Sequence, residues 1–425
     1  MKTNRRSFIT GAGAVAASAV ATSAHAQGVL DEIFGSTRRG TWDEQFDARV
    51  SDGGGGGSVT GSLVTNQPIM SPETLFNVQQ AITQYSNLAA QGGWPMVPAR
   101  SRLQMGVADP DVEVLRRRLM FSGDLSERAG ISPAFDTYVD AALKRFQSRH
   151  GLPVDGVTSE HTFAAMNVST QVRLGQLETN LVRLNSMANG HLGDRYVMVN
   201  IPAAQIEAVE GGRVVSRHTA IVGKIDRQTP ILESKINQII VNPYWNAPVS
   251  IVRRDIIPLM RENPNYLRDN AIRLIDSSGN EVDPMTVDWS TDEATRLRFR
   301  QDPGRINAMA SVKIDFPNAH SVYMHDTPQQ SLFNDIERFH SSGCVRVQNV
   351  RDLVTWMLQG TEGWDRRRFE DTIHNDADVT IRLGDPVPVY FTYFSAWSTG
   401  HNVVHFRDDI YGKDGVDELQ ISTAL

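Results

Sequence analysis

Cys344, the only cysteine among 425 residues, lies close in sequence to two other side chains that can take part in acyl chemistry. Residues 321–325 (SVYMH) alternate in polarity and are rich in β-branched and aromatic types, which predicts a strand with Tyr323 and His325 on one face. The segment SSGCVRV that follows predicts a second strand, with Cys344 and Arg346 on one face. A neighbouring imidazole can convert a thiol, whose usual pKa is about 8.5, into a thiolate nucleophile. The pattern therefore predicts a nucleophilic cysteine with His325 as its base.

The residue before the cysteine adds a second element of acyl chemistry. Gly343 has no side chain, so an acyl substrate can approach the backbone at this point. The amide N–H of Cys344 would then donate to the oxyanion that forms during attack on a carbonyl. We expect Gly343 to be part of the catalytic site for this reason.

Other interpretations of the same residues stay open at this stage. A lone cysteine is often a small buried apolar side chain. The closeness of His320, His325, His340 and Cys344 in sequence also suggests a metal site, although structural zinc generally takes two or more thiolates or tighter histidine spacings. A disulfide within the chain is excluded, because there is no second cysteine. We expect neither a metal nor an organic cofactor.

The start of the sequence has the pattern of an export signal. The segment NRRSFIT contains paired arginines, a small-residue apolar run follows at residues 11–21, and AHA at residues 24–26 is a cleavage site. The apolar run is too short and too rich in alanine to span a membrane stably. Residues 1–26 are therefore predicted to be a twin-arginine signal peptide, and the mature protein to be periplasmic without a transmembrane segment. An unpaired cysteine in an oxidising compartment is a liability unless its reactivity is used, which favours the nucleophile.

The two short segments around the nucleophile resemble a known family. MHDTP followed by SSGCVR resembles the signature of the L,D-transpeptidase (YkuD-type) catalytic domain. The longer series HDTP, SLF and SGCVRV resembles the large multidomain Gram-negative subfamily. The roles that this resemblance implies are acylated nucleophile for Cys344, general base for His325, orientation of the imidazole for the backbone carbonyl of Asp326, and an oxyanion site for Tyr323 with the Cys344 amide.

The resemblance implies acyl transfer in peptidoglycan. The expected product is a crosslink between the third residues of two stem peptides, formed through a cysteine thioester. Expected partners are stem peptides, glycan and other cell-wall synthases, and carbapenems are expected to acylate the cysteine. A same-fold L,D-carboxypeptidase or amidase that hydrolyses stem peptides or wall-attached protein, and a non-catalytic wall-binding protein, remain alternatives. The net charge of −7, with both signs interspersed, gives no reason to expect nucleic acid as a partner.

Three further residues are candidates for contact with substrate. Arg346 could hold a substrate carboxylate in a bidentate grip, or pair with an acid in a core loop. Trp245, in the segment NPYWNAP that also matches the subfamily, is either a packing residue or a wall of the substrate site. Ser342 adjoins the nucleophile loop. The segment RQTP at residues 227–230 matches the subfamily as well, without an assigned role.

The rest of the chain predicts an α+β multidomain protein. Its core is expected to be mostly β and YkuD-like, with a helical capping insertion that is either a lid or inert decoration. A segment with the pattern FQ, GL and DG resembles a three-helix peptidoglycan-binding module, for which a plain helical bundle without ligand is the alternative. The predicted boundaries are a Gly/Ser-rich tether at 27–67, helical scaffold at 68–100 and 171–192, the module at 101–170, and the catalytic domain at 193–425 with the insertion at about 250–304.

Overall fold

A computed structural model describes residues 65–188, 190, 192–375, 377–400 and 403–415 of the protein. The predicted signal peptide and nearly all of the predicted tether lie outside these residues. The last three tether residues do not behave as a tether: Arg217 donates to the carbonyls of Thr65 (2.6 Å) and Gln67 (3.0 Å), and Val214 N–H donates to Asn66 at 2.8 Å. The folded body therefore begins before the predicted boundary.

Two long helices form the predicted scaffold. Helix α1 (Pro72–Ala90) begins at Ser71, whose hydroxyl accepts the Thr74 N–H at 3.1 Å, and has proline at its first position. It packs against a second 19-residue helix, Thr170–Ala188, through a shared apolar cluster. None of the described helices is both long enough and apolar enough to span a membrane.

The predicted module is a three-helix bundle inserted between the scaffold helices. Its helices are α2 (Pro110–Phe121), α3 (Thr137–Arg149) and α4 (Glu160–Asn167), which makes Thr170–Ala188 helix α5. Its own buried core includes Val112, Leu115, Leu119, Val139, Leu143 and Phe146. A buried ion pair between Arg149 and Asp124 (2.6 Å) lies at its edge, and the same guanidinium donates to the carbonyl of Val404 at 3.0 Å. The module is thereby attached to the C-terminal part of the catalytic domain.

The predicted catalytic domain is built on a closed eight-stranded barrel. The strands of the domain are β1 (Arg195–Asn200), β2 (Gln205–Glu210), β3 (Arg213–Ile221), β4 (Leu232–Val241), β5 (Trp245–Asn246), β6 (Ile272–Ile275), β7 (Glu281–Val282), β8 (Arg298–Gln301), β9 (Val312–Asp315), β10 (Met324–His325), β11 (Val345–Val347), β12 (Val379–Thr392), β13 (Ala396–Ser398) and β14 (Val404–Phe406). The barrel order is β1-β12-β4-β9-β10-β11-β3-β2. Alternate residues of these strands fill its interior, and the helix Val350–Met357 packs on the same apolar cluster. The predicted α+β multidomain fold with a mostly-β core is confirmed.

The closing strand differs from the prediction. The sequence suggests two strands at 379–381 and 387–391, whereas β12 is one strand that pairs with β4 along both parts. A register shift between Arg382 and Val387 absorbs the intervening Gly-Asp-Pro residues as a bulge. A bulge keeps a strand continuous through residues that would otherwise indicate a turn.

The capping insertion is a mixed α/β subdomain, so the prediction of a helical insertion is wrong in part. A continuous helical stretch runs through Val249–Ile251, Val252–Ile256 and Ile257–Glu262, as expected. The charged residues at 291–300 suggest a second helix, but the structure has a short 3-10 turn there, followed by strand β8. In β8 Phe299 is buried between more exposed arginines, which is a two-residue period. Strand β8 belongs to a four-stranded sheet, β5-β8-β6-β7, so the insertion begins earlier than residue 250.

Candidate active site

Cys344 directly precedes strand β11, and His325 ends strand β10, which pairs with β11 in parallel. Strands β10 and β11 pair with Met324 opposite Val345 and His325 opposite Arg346, and Val345 N–H donates to Tyr323 O at 3.0 Å. Met324 and Val345 point into the barrel core. Their neighbours along each strand therefore share the opposite face. Because strands lie about 4.8 Å apart and rise about 3.3 Å per residue, Cys344 is beside Tyr323 and diagonal to His325.

The imidazole of His325 is oriented by the chain itself. Its Nδ1 lies 2.6 Å from the carbonyl oxygen of Asp326, so Nδ1–H donates there and Nε2 keeps its lone pair. The Asp326 carboxylate accepts from the hydroxyl of Ser311 (2.6 Å) and from Thr327 N–H (2.8 Å). The contact between His325 Nδ1 and the backbone carbonyl of Asp326 is the one that the sequence resemblance implies.

The protonation state of His325 follows from its surroundings. Burial and the nearby charges of Arg346 and Lys313 together lower its pKa to about 3, against the opposing effect of the Asp326 carbonyl. Those two cations are its partners across the flanking strands β11 and β9. The imidazole is therefore neutral at pH 7, which is the form that accepts a proton.

The sulfur of Cys344 is protonated at rest. Burial raises the pKa of the Cys344 thiol to about 11, against the opposing effects of the Tyr323 N–H and hydroxyl and of the Lys313 and Arg346 charges. The residue as a whole is partly exposed. A thiol with this pKa must lose its proton as it attacks, so a neutral base has to be close to it.

Tyr323 connects the sulfur to the capping subdomain. Its hydroxyl donates to the sulfur of Cys344 and accepts from the indole N–H of Trp245. Burial raises the pKa of Tyr323 well above its usual value, so the phenol keeps its proton and can donate. Trp245 lies on β5, half-buried against the apolar core of the cap. The tryptophan is thus both a packing residue and a contact of the site.

The nucleophile loop is held to the cap as well. Arg227 donates to Ser342 Oγ at 3.0 Å and makes two bonds to the carboxylate of Asp255, at 2.6 and 2.8 Å. Asp255 lies in the helical stretch of the cap. Gly343 has φ +114°, a conformation that other residues rarely adopt. The sequence indicates Ser342 and Gly343 as candidate site residues. It gives no signal for the ion pair between Arg227 and Asp255, which are 28 residues apart.

Arg346 is buried beside Cys344 and His325. Its guanidinium donates to Gln329 Oε1 at 3.0 Å, and burial lowers its pKa to about 10 while the Cys344 sulfur acts to raise it. Both roles suggested by the sequence, a grip on a substrate carboxylate and pairing with an acid in a core loop, remain predictions.

A cavity of about 290 Å³ opens next to the nucleophile loop, between the cap and the barrel. Its lining includes Arg227, Gln228, Arg254, His320, Ser342 and Gly343. His320 lies here. Within the part of the chain that the structure describes, no three His, Cys, Asp or Glu side chains are grouped as ligands for a metal ion.

These features define a class of site: a cysteine on a barrel, with a neutral imidazole and with phenol and amide donors beside it, which is a set of groups suited to acyl transfer. Residues 194–388 match the L,D-transpeptidase catalytic domain family (YkuD), and residues 108–166 match a peptidoglycan binding domain. Residues 194–388 therefore form an L,D-transpeptidase (YkuD-type) catalytic domain, and the chain also carries a peptidoglycan-binding domain.

A curated relative matches part of the chain. A Haemophilus influenzae protein inferred to be an L,D-transpeptidase is 34% identical over 240 residues, which are 56% of this chain and 48% of the relative. The chain thus spans about half the length of that relative. Two solved L,D-transpeptidases are also similar: one from Xylanimonas cellulosilytica (17% identity, TM-score 0.23, 69% of this chain and 99% of that one) and one from Stackebrandtia nassauensis (12%, 0.26, 70% and 96%).

Proposed function

We propose that this protein forms crosslinks between the third residues of two peptidoglycan stem peptides, through a thioester on Cys344. The observation that carries the proposal is the hydrogen bond between Tyr323 and the sulfur. From the pairing of β10 with β11 we infer that Cys344 is on the same face as His325, whose Nδ1 is fixed on Asp326 O. The family match of residues 194–388 supplies the class of reaction.

The first half of the reaction is acylation. Cys344 Sγ attacks the carbonyl of the third residue of a tetrapeptide stem as His325 Nε2 takes the thiol proton. The tetrahedral oxyanion accepts from the Cys344 N–H and the Tyr323 hydroxyl. The C–N bond then breaks, the imidazolium returns the proton to the leaving nitrogen, and the terminal residue departs with a free amine.

The second half is transfer to an amine. A side-chain amine of a neighbouring stem attacks the thioester carbonyl and gives up a proton to His325, and the sulfur leaves to become the thiol again. Water competes with the amine for the same carbonyl. The cap, which is joined to the nucleophile loop by Arg227, supports transfer by limiting access of water to the thioester.

The direct test is incubation with purified tetrapeptide stems and analysis of the products by mass spectrometry. Wild-type protein is expected to give a third-to-third linked dimer and the released terminal residue, while Cys344→Ala gives neither and keeps its circular dichroism spectrum. Tripeptide without dimer would assign the protein to the hydrolases, and unchanged dimer from Cys344→Ala would end the nucleophile assignment.

The strained carbonyl of a β-lactam is a second acyl donor for the same thiol. We propose that carbapenems acylate Cys344. Intact-protein mass spectrometry should show one adduct on wild type and none on Cys344→Ala. An unmodified wild-type protein after prolonged incubation would contradict this.

The proposed place of action is the periplasm, where the substrate is made into wall. The peptidoglycan-binding domain supports glycan as a partner; contact with other wall synthases is a further part of the proposal. Export by the twin-arginine pathway predicts that replacing Arg5 and Arg6 by lysine retains the protein in the cytoplasm. Cell fractionation measures this, and undiminished export of the lysine variant would refute the assigned pathway.

A further inference from the structure

Thr229, in the segment RQTP, is buried behind the nucleophile and has no role in the steps above. Its hydroxyl accepts the N–H of Gly223 at 2.8 Å and lies 2.9 Å from the carbonyl oxygen of Gly343. A hydroxyl has a single proton to donate. Because a carbonyl oxygen can only accept, the Thr229 hydroxyl donates this proton to Gly343 O.

That bond fixes a peptide group that matters to the chemistry. The carbonyl of Gly343 and the N–H of Cys344 belong to one planar peptide unit, in which the two groups point in opposite directions. Thr229 holds the carbonyl on its own buried side. The N–H of Cys344 is therefore directed away from Thr229, towards the partly exposed side where the sulfur meets its substrate. Ser341 holds the neighbouring peptide units, because its Oγ accepts the Gly343 N–H at 3.2 Å and donates to Cys344 O at 2.5 Å. Thr229 holds the carbonyl of the peptide unit between them, which follows a glycine with φ +114°.

Thr229 is itself held on both sides. Its N–H donates to Tyr411 Oη at 3.2 Å, and Tyr411 in turn donates to Gly223 O at 2.6 Å. A side chain at Gly223 has no room, because its Cβ would lie 2.1 Å from the Arg227 carbonyl oxygen and 2.6 Å from Thr229 N. The three residues form a closed ring of hydrogen bonds, so the hydroxyl of Thr229 has a defined position.

We propose that Thr229 is a positioning residue for the oxyanion site: by holding the Gly343 carbonyl, it aims the Cys344 N–H at the developing negative charge. This inference rests on the proposed acylation of Cys344. Thr229 touches neither substrate nor sulfur in this role, and it acts through the Gly343–Cys344 peptide alone. Loss of its hydroxyl should therefore affect reactions that form an oxyanion and spare reactions that do not.

Two reactions of the same sulfur separate these cases. Acylation by a carbapenem passes through a tetrahedral oxyanion, whereas alkylation by iodoacetamide is a displacement at carbon and forms none. Thr229→Val keeps the shape and removes the hydroxyl, and Thr229→Ser keeps the hydroxyl. The valine variant is expected to lose about tenfold to a hundredfold in acylation rate, less than the loss of a whole oxyanion donor, with alkylation unchanged. The serine variant should stay close to wild type in both.

The ratio of acylation to alkylation is the decisive readout, because a general disturbance of the site would lower both rates together. If Thr229→Val does not fold, Thr229→Ala removes the same hydroxyl with less crowding. Equal ratios for wild type and the valine or alanine variant would overturn the inference and leave the proposed function standing. Failure of wild type to be acylated would overturn the proposed function, and the inference with it.

Discussion

The resting protonation state of Cys344 gives a prediction that can be worked through quantitatively. With the thiol pKa at about 11, the thiolate fraction at pH 7 is about 10⁻⁴ and rises about tenfold per pH unit. Alkylation by iodoacetamide, which requires the thiolate, should therefore accelerate about 100-fold between pH 7 and pH 9. A free cysteine with a pKa of about 8.5 would accelerate only about 25-fold over the same interval.

The acid side of the profile carries a separate expectation. A thiolate stabilised by an imidazolium, as in an ion pair, would alkylate at a rate nearly independent of pH around neutrality. In this site burial holds the pKa of His325 at about 3, so the imidazole carries no charge between pH 5 and pH 7 and no such plateau should occur. The rate should fall steadily as the pH is lowered.

The assay is mass-spectrometric rate measurement from pH 5 to pH 9. Because the chain has a single cysteine, the label reports Cys344 alone, and Cys344→Ser gives the background. Tyr323→Phe removes a donor that lowers the thiol pKa, so this variant should alkylate more slowly at each pH, about tenfold per unit of pKa rise. A plateau below pH 7, or faster alkylation of Tyr323→Phe, would refute the description of a neutral thiol beside a neutral imidazole.

Three further perturbations concern the connection of the cap to the site. Trp245→Phe retains apolar bulk in the cap and removes the N–H that Tyr323 accepts, so carbapenem acylation measured by stopped flow should slow about three- to tenfold at unchanged Tm. Asp255→Asn breaks the charge pairing with Arg227 and should cost about 1–3 kcal/mol in the free energy of unfolding measured in urea, with more hydrolysis relative to transfer in the stem-peptide assay. Phe299→Ala empties the core of the cap and should cost that subdomain about 3–5 kcal/mol, measured as earlier proteolysis and an earlier urea transition.

Each of these has a matched control. If Trp245→Phe is acylated at the wild-type rate, the indole N–H does not contribute to the chemistry of the site, whatever its packing role. Arg227→Lys retains the charge but not the paired geometry, and should resemble Asp255→Asn; wild-type stability in both would show that the ion pair is unimportant. Tyr244, which directly precedes β5, is an exposed aromatic residue, so Tyr244→Ala should leave proteolysis nearly unchanged. Equal effects of Tyr244→Ala and Phe299→Ala would contradict the assignment of a separate cap core.

The face that carries Tyr323 and His325 could be predicted because strand periodicity is local. A two-residue period fixes which side chains share a face, and the same rule places Cys344 with Arg346. The scaffold helix that begins at Ser71 was equally accessible, since its cap and its proline are adjacent in sequence. Pairing of β10 with β11, which brings the two faces together, follows from the order of the barrel and not from either segment alone.

The remaining parts of the site depend on contacts between distant segments. Thr229 and Gly343 are 114 residues apart, and no local pattern indicates that the barrel joins them. The error at 291–300 has a different origin: several charged residues there suggest an exposed helix, while the buried Phe299 between arginines satisfies the sheet of the cap. Charge content describes exposure, and only the spacing of the apolar residues distinguishes helix from strand.

The position of Arg149 has a consequence for the distance between the binding module and Cys344. This one side chain closes an ion pair within the binding module and also bonds to the carbonyl of Val404 beyond the barrel. A domain on a flexible linker samples many distances, with an effective concentration set by linker length. A module held by contacts of this kind instead keeps one position relative to the barrel. Glycan bound to the module would present only the stem peptides that lie at one fixed distance from the Cys344 sulfur. The structure of the protein would then determine the spacing of crosslinks along a glycan strand.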